Sequence, residues 1–249
     1  MLLEICVDTA EGLHIATRNG ADRIELCASL GVGGLTPSLG MMRFAAKTGC
    51  PTRVMIRPRQ GDFVYSDQEV GTMLHDIDAV AGVGLDGVVL GCNQSNGELD
   101  EGLLALLTNH AKSAGLRVTL HRSFDIAPNQ IDALALARHL GIDAILTSGG
   151  KPSAPEGVDM IAKLQAIVDA AQSPIEIMAG VGINADTVGE IVRRCGVRSV
   201  HGSCSRLNTD VSRGAEHLGY ATAGDRRTDL RLVTELRNAL ALTTAVGAS

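Results

Sequence analysis

The chain has no tryptophan, two tyrosines and three phenylalanines in 249 residues, so its core must be built from Leu, Val, Ile and Ala. The same shortage removes the aromatic platforms on which single-stranded nucleic acid stacks. Basic charge is short as well: 22 Lys and Arg stand against 28 Asp and Glu, a balance without the electrostatic footprint of a DNA or RNA binder. Six cysteines, at 6, 27, 50, 92, 195 and 204, form no Cys-x-x-Cys pair, and spacing shows neither a tetrahedral zinc site nor a thioredoxin-type motif. No apolar run approaches the roughly 18 residues of a membrane helix. Met1 runs straight into Leu2, Leu3 and Glu4 without the basic and apolar regions of a secretory signal. The expectation is a cytoplasmic protein with free thiols, no organic cofactor, and neither membrane nor nucleic acid as partner.

What is present is an alternation of short β-rich runs with longer helical patterns. Eight runs read as strands: residues 2–8, 23–28, 53–59, 87–92, 117–122, 144–148, 175–180 and 199–203. Helix starts are expected at Thr36-Pro37, at the capping box Ser66-Asp67-Gln68-Glu69, and at Asp100, Asn184 and Thr228. Glycines at 20, 49, 84, 115, 141 and 196 close helical runs just before the next strand. Strand then helix, eight times over, predicts a single-domain α/β fold, the TIM-type (β/α)8 barrel. An open dinucleotide-binding sheet is disfavoured because no Gly-x-Gly-x-x-Gly follows the first strand. A long irregular loop is expected over residues 204–226.

Barrel chemistry is read at the C-terminal ends of the strands. Glu4-Ile5-Cys6 and Glu25-Leu26-Cys27 repeat one pattern on the first two strands, with Glu and Cys on one face. Facing the helices, two carboxylates would lie in an apolar layer at a cost of several kcal/mol each unless paired, so the inward setting is expected. Arg57 and His121 are then the expected partners. Glu4, Glu25, His121 and Asp125 are acid/base candidates. Arg57, Arg59, Arg122, Ser148, Gly180, Gly182 and His201 are candidates for holding an anion, the glycines through backbone N–H groups. Cys6 and Cys27, with Cα atoms roughly 5 to 7 Å apart, could bind a soft ion such as Cu(I). Each reading has a competitor: an ion-pair network that only fills the barrel, cysteines that only pack, and glycines that only turn. No lysine stands at a strand end, which argues against a Schiff-base aldolase.

The chain resembles the CutC family of copper homeostasis proteins over residues 2 to about 206. The resemblance rests on Leu3-Glu4-Ile5-Cys6, on the run from Asn19 to Cys27, and on Gly33-Gly34-Leu35-Thr36-Pro37-Ser38. It continues through Met55-Ile56-Arg57-Pro58-Arg59, Gly61-Asp62-Phe63, His121-Arg122-Ser123-Phe124-Asp125, Leu146-Thr147-Ser148-Gly149 and Met178-Ala179-Gly180. It implies a cytoplasmic barrel, self-associated as a dimer or tetramer, with a role in copper handling and Cu(I) at Cys6 and Cys27. The alternative is a barrel enzyme of lyase or isomerase type, acting on a small polar or phosphorylated metabolite.

Overall fold

The structure is a computed structural model that describes residues 1–221 and 224–246, the last three by backbone alone. Eight parallel strands close into a barrel in sequence order: β1 (Leu2–Val7), β2 (Arg23–Leu26), β3 (Thr52–Met55), β4 (Gly87–Leu90), β5 (Arg117–Leu120), β6 (Ala144–Thr147), β7 (Glu176–Gly180) and β8 (Ser199–Gly202). Seven of the eight strands end before the apolar runs that announce them, the last residues of those runs passing into the loops. Helices α1 (Ala10–Arg18), α2 (Leu39–Ala46), α3 (Asp67–Val83), α4 (Glu101–Ser113), α5 (Gln130–His139), α6 (Val158–Ala170) and α7 (Val188–Cys195) cross between strands. The expected α/β barrel is the fold found.

The pleat sorts the side chains. Leu3, Ile5, Val7, Ile24, Leu26, Val54, Val88 and Leu90 are fully buried and pack outward under the helices. The alternate residues face the barrel axis, where Cys27, Met55 and Val89 form a small apolar plug. Beside that plug the interior is charged, and the doubled Glu-x-Cys faces inward as expected.

Capping explains where the helices begin. Ser66 and Glu69 form the anticipated capping box, and the Asp100 carboxylate accepts from Leu103 N–H at 2.9 Å. Three starts differ. Helix α2 begins at Leu39 under a Ser38 cap rather than at Thr36, whose hydroxyl instead accepts from Arg57 N–H at 3.0 Å. The Asn184 side chain accepts from Asp186 and Thr187 N–H in a turn, and α7 begins four residues later. Asp229 rather than Thr228 caps the last helix, α9 (Leu230–Val246), accepting from Arg231 N–H at 2.9 Å. The described residues of 204–226 are not an irregular loop. They hold β9 (Ser205–Leu207) and α8 (Arg213–His217), and β9 pairs antiparallel with β10 (Arg226–Thr228). No helix of the described residues is long and apolar enough to cross a membrane.

Parallel register places Glu4 opposite Arg23 in β2 and opposite His201 in β8. Arg23 Nε donates to Glu4, and its Nη2 donates to Glu176 Oε1 at 2.8 Å from across the barrel. Removing one member of a buried pair strands the other charge, which typically costs about 3–5 kcal/mol. Arg23→Met is therefore expected to destabilise the fold by about that amount in urea denaturation, and adding Glu4→Gln is expected to recover part of the loss.

Candidate functional site at the barrel mouth

A cavity of about 1090 Å³ opens at the C-terminal end of the strands. Its wall collects Cys6 from β1 and Asp8 just after it, Glu25 from β2, Arg57 after β3, His121 and Arg122 after β5, and His201 from β8. The ribbon of β9 and β10 adds Ser205 and the run from Gly224 to Thr228.

At the floor, the donor atoms of Cys6, Glu25 and His201 lie within 4.8 Å of one another, all three residues buried. His201 Nδ1 is 2.8 Å from Glu4 Oε1, and its Nε2 is 3.8 Å from Glu25 Oε2. Burial works against the imidazolium, but Cys6, Glu25 and the Glu4 hydrogen bond outweigh it and lift His201 well above its ordinary range. Burial drives the Glu4 carboxyl upward; the His201 hydrogen bond and the Arg23 charge reverse that and hold it at about 2. Glu25 has no arginine in hydrogen-bond contact. Its burial, aided by the Glu4 charge and opposed by His201, raises its pKa, and its Oε1 is buried without a hydrogen-bond partner. One glutamate is thus fixed as an anion while its neighbour can carry or lose a proton. Burial, with the charges of Glu25 and Cys6, also pushes the Cys27 thiol well up.

The candidates divide cleanly. Cys6, Glu25, Arg57, His121, Arg122 and His201 line the cavity; Glu4, Cys27, Arg59, Asp125, Ser148, Gly180 and Gly182 do not. Arg57 and His121 are not the partners of the glutamates, because register gives that place to Arg23 and His201. Cys27 lies outside the three-donor group and places its sulfur 3.6 Å from Glu25 Oε2. Arg59 holds its own loop, pairing with Glu69 and with Asp62 at 3.0 Å. Gly180 is a packing glycine, since a Cβ there would stand 2.5 Å from Leu146 Cδ1, and Gly182 turns the chain at φ +75°.

Asp125 fills the turn after β6. It accepts from the backbone N–H of Ser148 and of Gly150, each at 3.0 Å, from Thr147 Oγ1 at 2.5 Å and from Arg122 Nε at 2.9 Å. A nest of this kind ordinarily receives an external anion; here the chain's own carboxylate occupies it. Arg23 escaped the sequence reading although it stands two residues before Glu25, on the same inward face. Asp8 and Phe63 also belong to the wall.

The CutC family model matches residues 1–206. The chain belongs to the CutC family. Relatives named CutC family protein include one from Sinorhizobium medicae, 45% identical over 240 residues and 96% of each chain, and one from Agrobacterium fabrum, 46% identical over 241 residues, 96% of this chain and 94% of the other. A crystal structure of CutC from Streptococcus agalactiae, described as a copper homeostasis protein, superposes with TM-score 0.75 at 33% identity. That match covers 82% of this chain and 98% of the other. A thiamine phosphate pyrophosphorylase from Pyrococcus furiosus, 16% identical with TM-score 0.60 over 97% of this chain and 96% of its own, shares the fold alone.

The shifted groups set the acid limb of stability. His121 is pushed down to about 3 by burial and by the Arg57 charge, so the folded chain holds fewer protons there than the unfolded chain, whose histidines titrate near 6.5. Its contribution is present above 6.5 and is lost as pH falls toward 3; that of Glu4 is lost lower, between about 4.5 and 2. His201, shifted up, contributes fully below 6.5 and less as pH rises through its folded value. Between pH 7 and 4.5, His121→Gln is expected to remove about 2–3 kcal/mol of the pH-dependent loss seen in urea denaturation.

Proposed function

We propose that this CutC-family protein binds Cu(I) at the cavity floor, with Cys6 as the principal ligand. The observation that carries the reading is the convergence of Cys6, His201 and Glu25 donor atoms within 4.8 Å at the base of an open cavity. Thiolate and imidazole suit a soft, low-coordinate ion. Glu25 is the hard member of the set, and its unpartnered Oε1 accepts a proton released when a thiol is metallated. Cys27, the second thiol implied by the resemblance, must deprotonate against its burial and lies outside the three-donor group, whereas His201 belongs to it and gives up its ring proton on metal binding, so Cys6 and His201 are the leading donors. The copper homeostasis name carried by the Streptococcus agalactiae relative supports the same assignment. Cytoplasmic location and self-association as a dimer or tetramer belong to this proposal, and sizing chromatography tests the second.

Titration of Cu(I) against a competing chelator decides the matter. Cys6→Ser is expected to weaken binding by at least 100-fold, His201→Gln by about tenfold, and Cys27→Ser by less than Cys6→Ser. Wild-type affinity in the Cys6→Ser, Cys27→Ser double variant would falsify the assignment.

A second reading is favoured by one specific observation: the cavity is far larger than an ion requires and matches the upper end of small-molecule sites in size. It is lined on the far wall by His121, Arg57 and Phe63, none of which belongs to the three-donor group. On this reading the barrel acts on a small polar metabolite, with Glu25 exchanging the proton and Glu4 positioning His201.

A further inference from the structure

Two residues of the cavity wall, on the side of β3 and β5, each carry a buried N–H donor with no hydrogen-bond acceptor among the described residues. The first belongs to His121. Its Nδ1 accepts from the Ser123 backbone N–H at 3.1 Å, which leaves the ring proton of the neutral imidazole on Nε2, and Nε2 is bonded to nothing. The ring is held in that orientation on two sides. Its face packs on Phe63 with centroids 4.7 Å apart, and its Nδ1 edge lies against Gly91, where a Cβ would stand 2.7 Å from Nδ1. Burial, reinforced by the Arg57 charge, brings its pKa to about 3, so the ring stays a neutral donor across the physiological range.

The second donor is Arg57 Nε. The guanidinium gives Nη1 to the carbonyl oxygens of Val32 at 2.8 Å and Gly34 at 3.0 Å, and Nη2 to that of Gly61 at 2.9 Å. These bonds fix the fork and leave Nε buried without a partner. Among the described residues, three arginines are buried. Arg23 and Arg53 each meet a carboxylate, whereas Arg57 meets none among the described residues. Its guanidinium carbon lies 5.1 Å from the centre of the same Phe63 ring that His121 packs on, so both donors border one half-buried aromatic.

We propose that Arg57, His121 and Phe63 form a subsite for the carboxylate of a small monoanionic metabolite, whose oxygens accept from Arg57 Nε–H and His121 Nε2–H. The proposal rests on the metabolite reading above and gives it a substrate class. A single carboxylate charge matches the one buried guanidinium among the described residues that meets no carboxylate. A phosphate dianion would exceed that one buried charge; of the cavity's other arginines, Arg122 is paired with Asp125, and Arg226 and Arg227 belong to the ribbon. The nest after β6 that could have taken a phosphate is filled by Asp125. Arg57 supplies the charge, and His121 supplies direction without adding to it.

The test uses the full chain labelled with ¹⁵N and reads the His121 Nε2 and Arg57 Nε resonances while pyruvate, acetate or inorganic phosphate is added in turn. Saturable shifts of both resonances are expected with pyruvate or acetate, and none with phosphate at the same concentration. His121→Gln is expected to weaken the carboxylate response at least tenfold, followed through Arg57, and Arg57→Lys, which keeps the charge but removes Nε–H, to weaken it similarly, followed through His121. Circular dichroism checks the fold of each variant, and His121→Gln decides alone if Arg57→Lys does not fold. The proposal is overturned if neither carboxylate gives a saturable shift, if the response survives in His121→Gln, or if phosphate binds more tightly. Binding is read without turnover. A chain that binds carboxylate and converts nothing therefore refutes the enzyme reading and leaves the subsite standing.

Discussion

The ion pair between Glu4 and Arg23 is the constraint from which the rest of the site follows. A carboxylate fully inside a barrel is tolerable only as a satisfied anion, and β-sheet register delivers its partners from both neighbours: Arg23 from β2 and His201 from β8. Because His201 is engaged through Nδ1, its other nitrogen is turned toward Glu25 and Cys6. Arg23 is engaged below by Glu4 and Glu176 and so is drawn away from Glu25. The acid that carries no arginine bond is the one that reaches the cavity. Two glutamates of the same repeated tripeptide thus receive opposite electrostatic fates from their neighbours alone.

A comparable division separates the two walls of the mouth. The β1, β2 and β8 side carries sulfur, imidazole and carboxyl groups close together, a chemistry of metal ligation and proton transfer. The β3 and β5 side carries N–H donors clamped by backbone carbonyls and an aromatic ring. Rigid donors without acceptors are stable in a fold only where the surrounding packing holds them, as Gly91 and the loop around Gly61 do here.

Much of this was legible in the sequence, for physical reasons. Hydrophobic period and glycine punctuation are local signals, and they recovered the eight strands and the barrel. The inward setting of Glu4 and Glu25 followed from the cost of burying a carboxylate against apolar helices. The same parity applied to Arg23 would have found the partner that was instead sought in Arg57. His201 could not be assigned to Glu4 locally, because barrel closure brings together residues 197 positions apart. Thr36 and Asn184 misled as helix starts because threonine and asparagine side chains satisfy turn and loop N–H groups as readily as helix ends, and Thr228 because it ends β10 one residue before the Asp229 cap. Residues 204–226 lack a core-facing period, so their ribbon was invisible until its pairing was seen.

The ribbon has a consequence for how this protein can diverge. The family match ends at residue 206, just as β9 begins, yet Asn208 and the run from Gly224 to Thr228 roof the cavity that the matched residues floor. The polar base is bound into the barrel by register, whereas the roof is a two-stranded ribbon outside the closed sheet. Replacing it would alter what is admitted to the chamber while leaving the reactive groups, and the closed sheet that aligns them, unchanged.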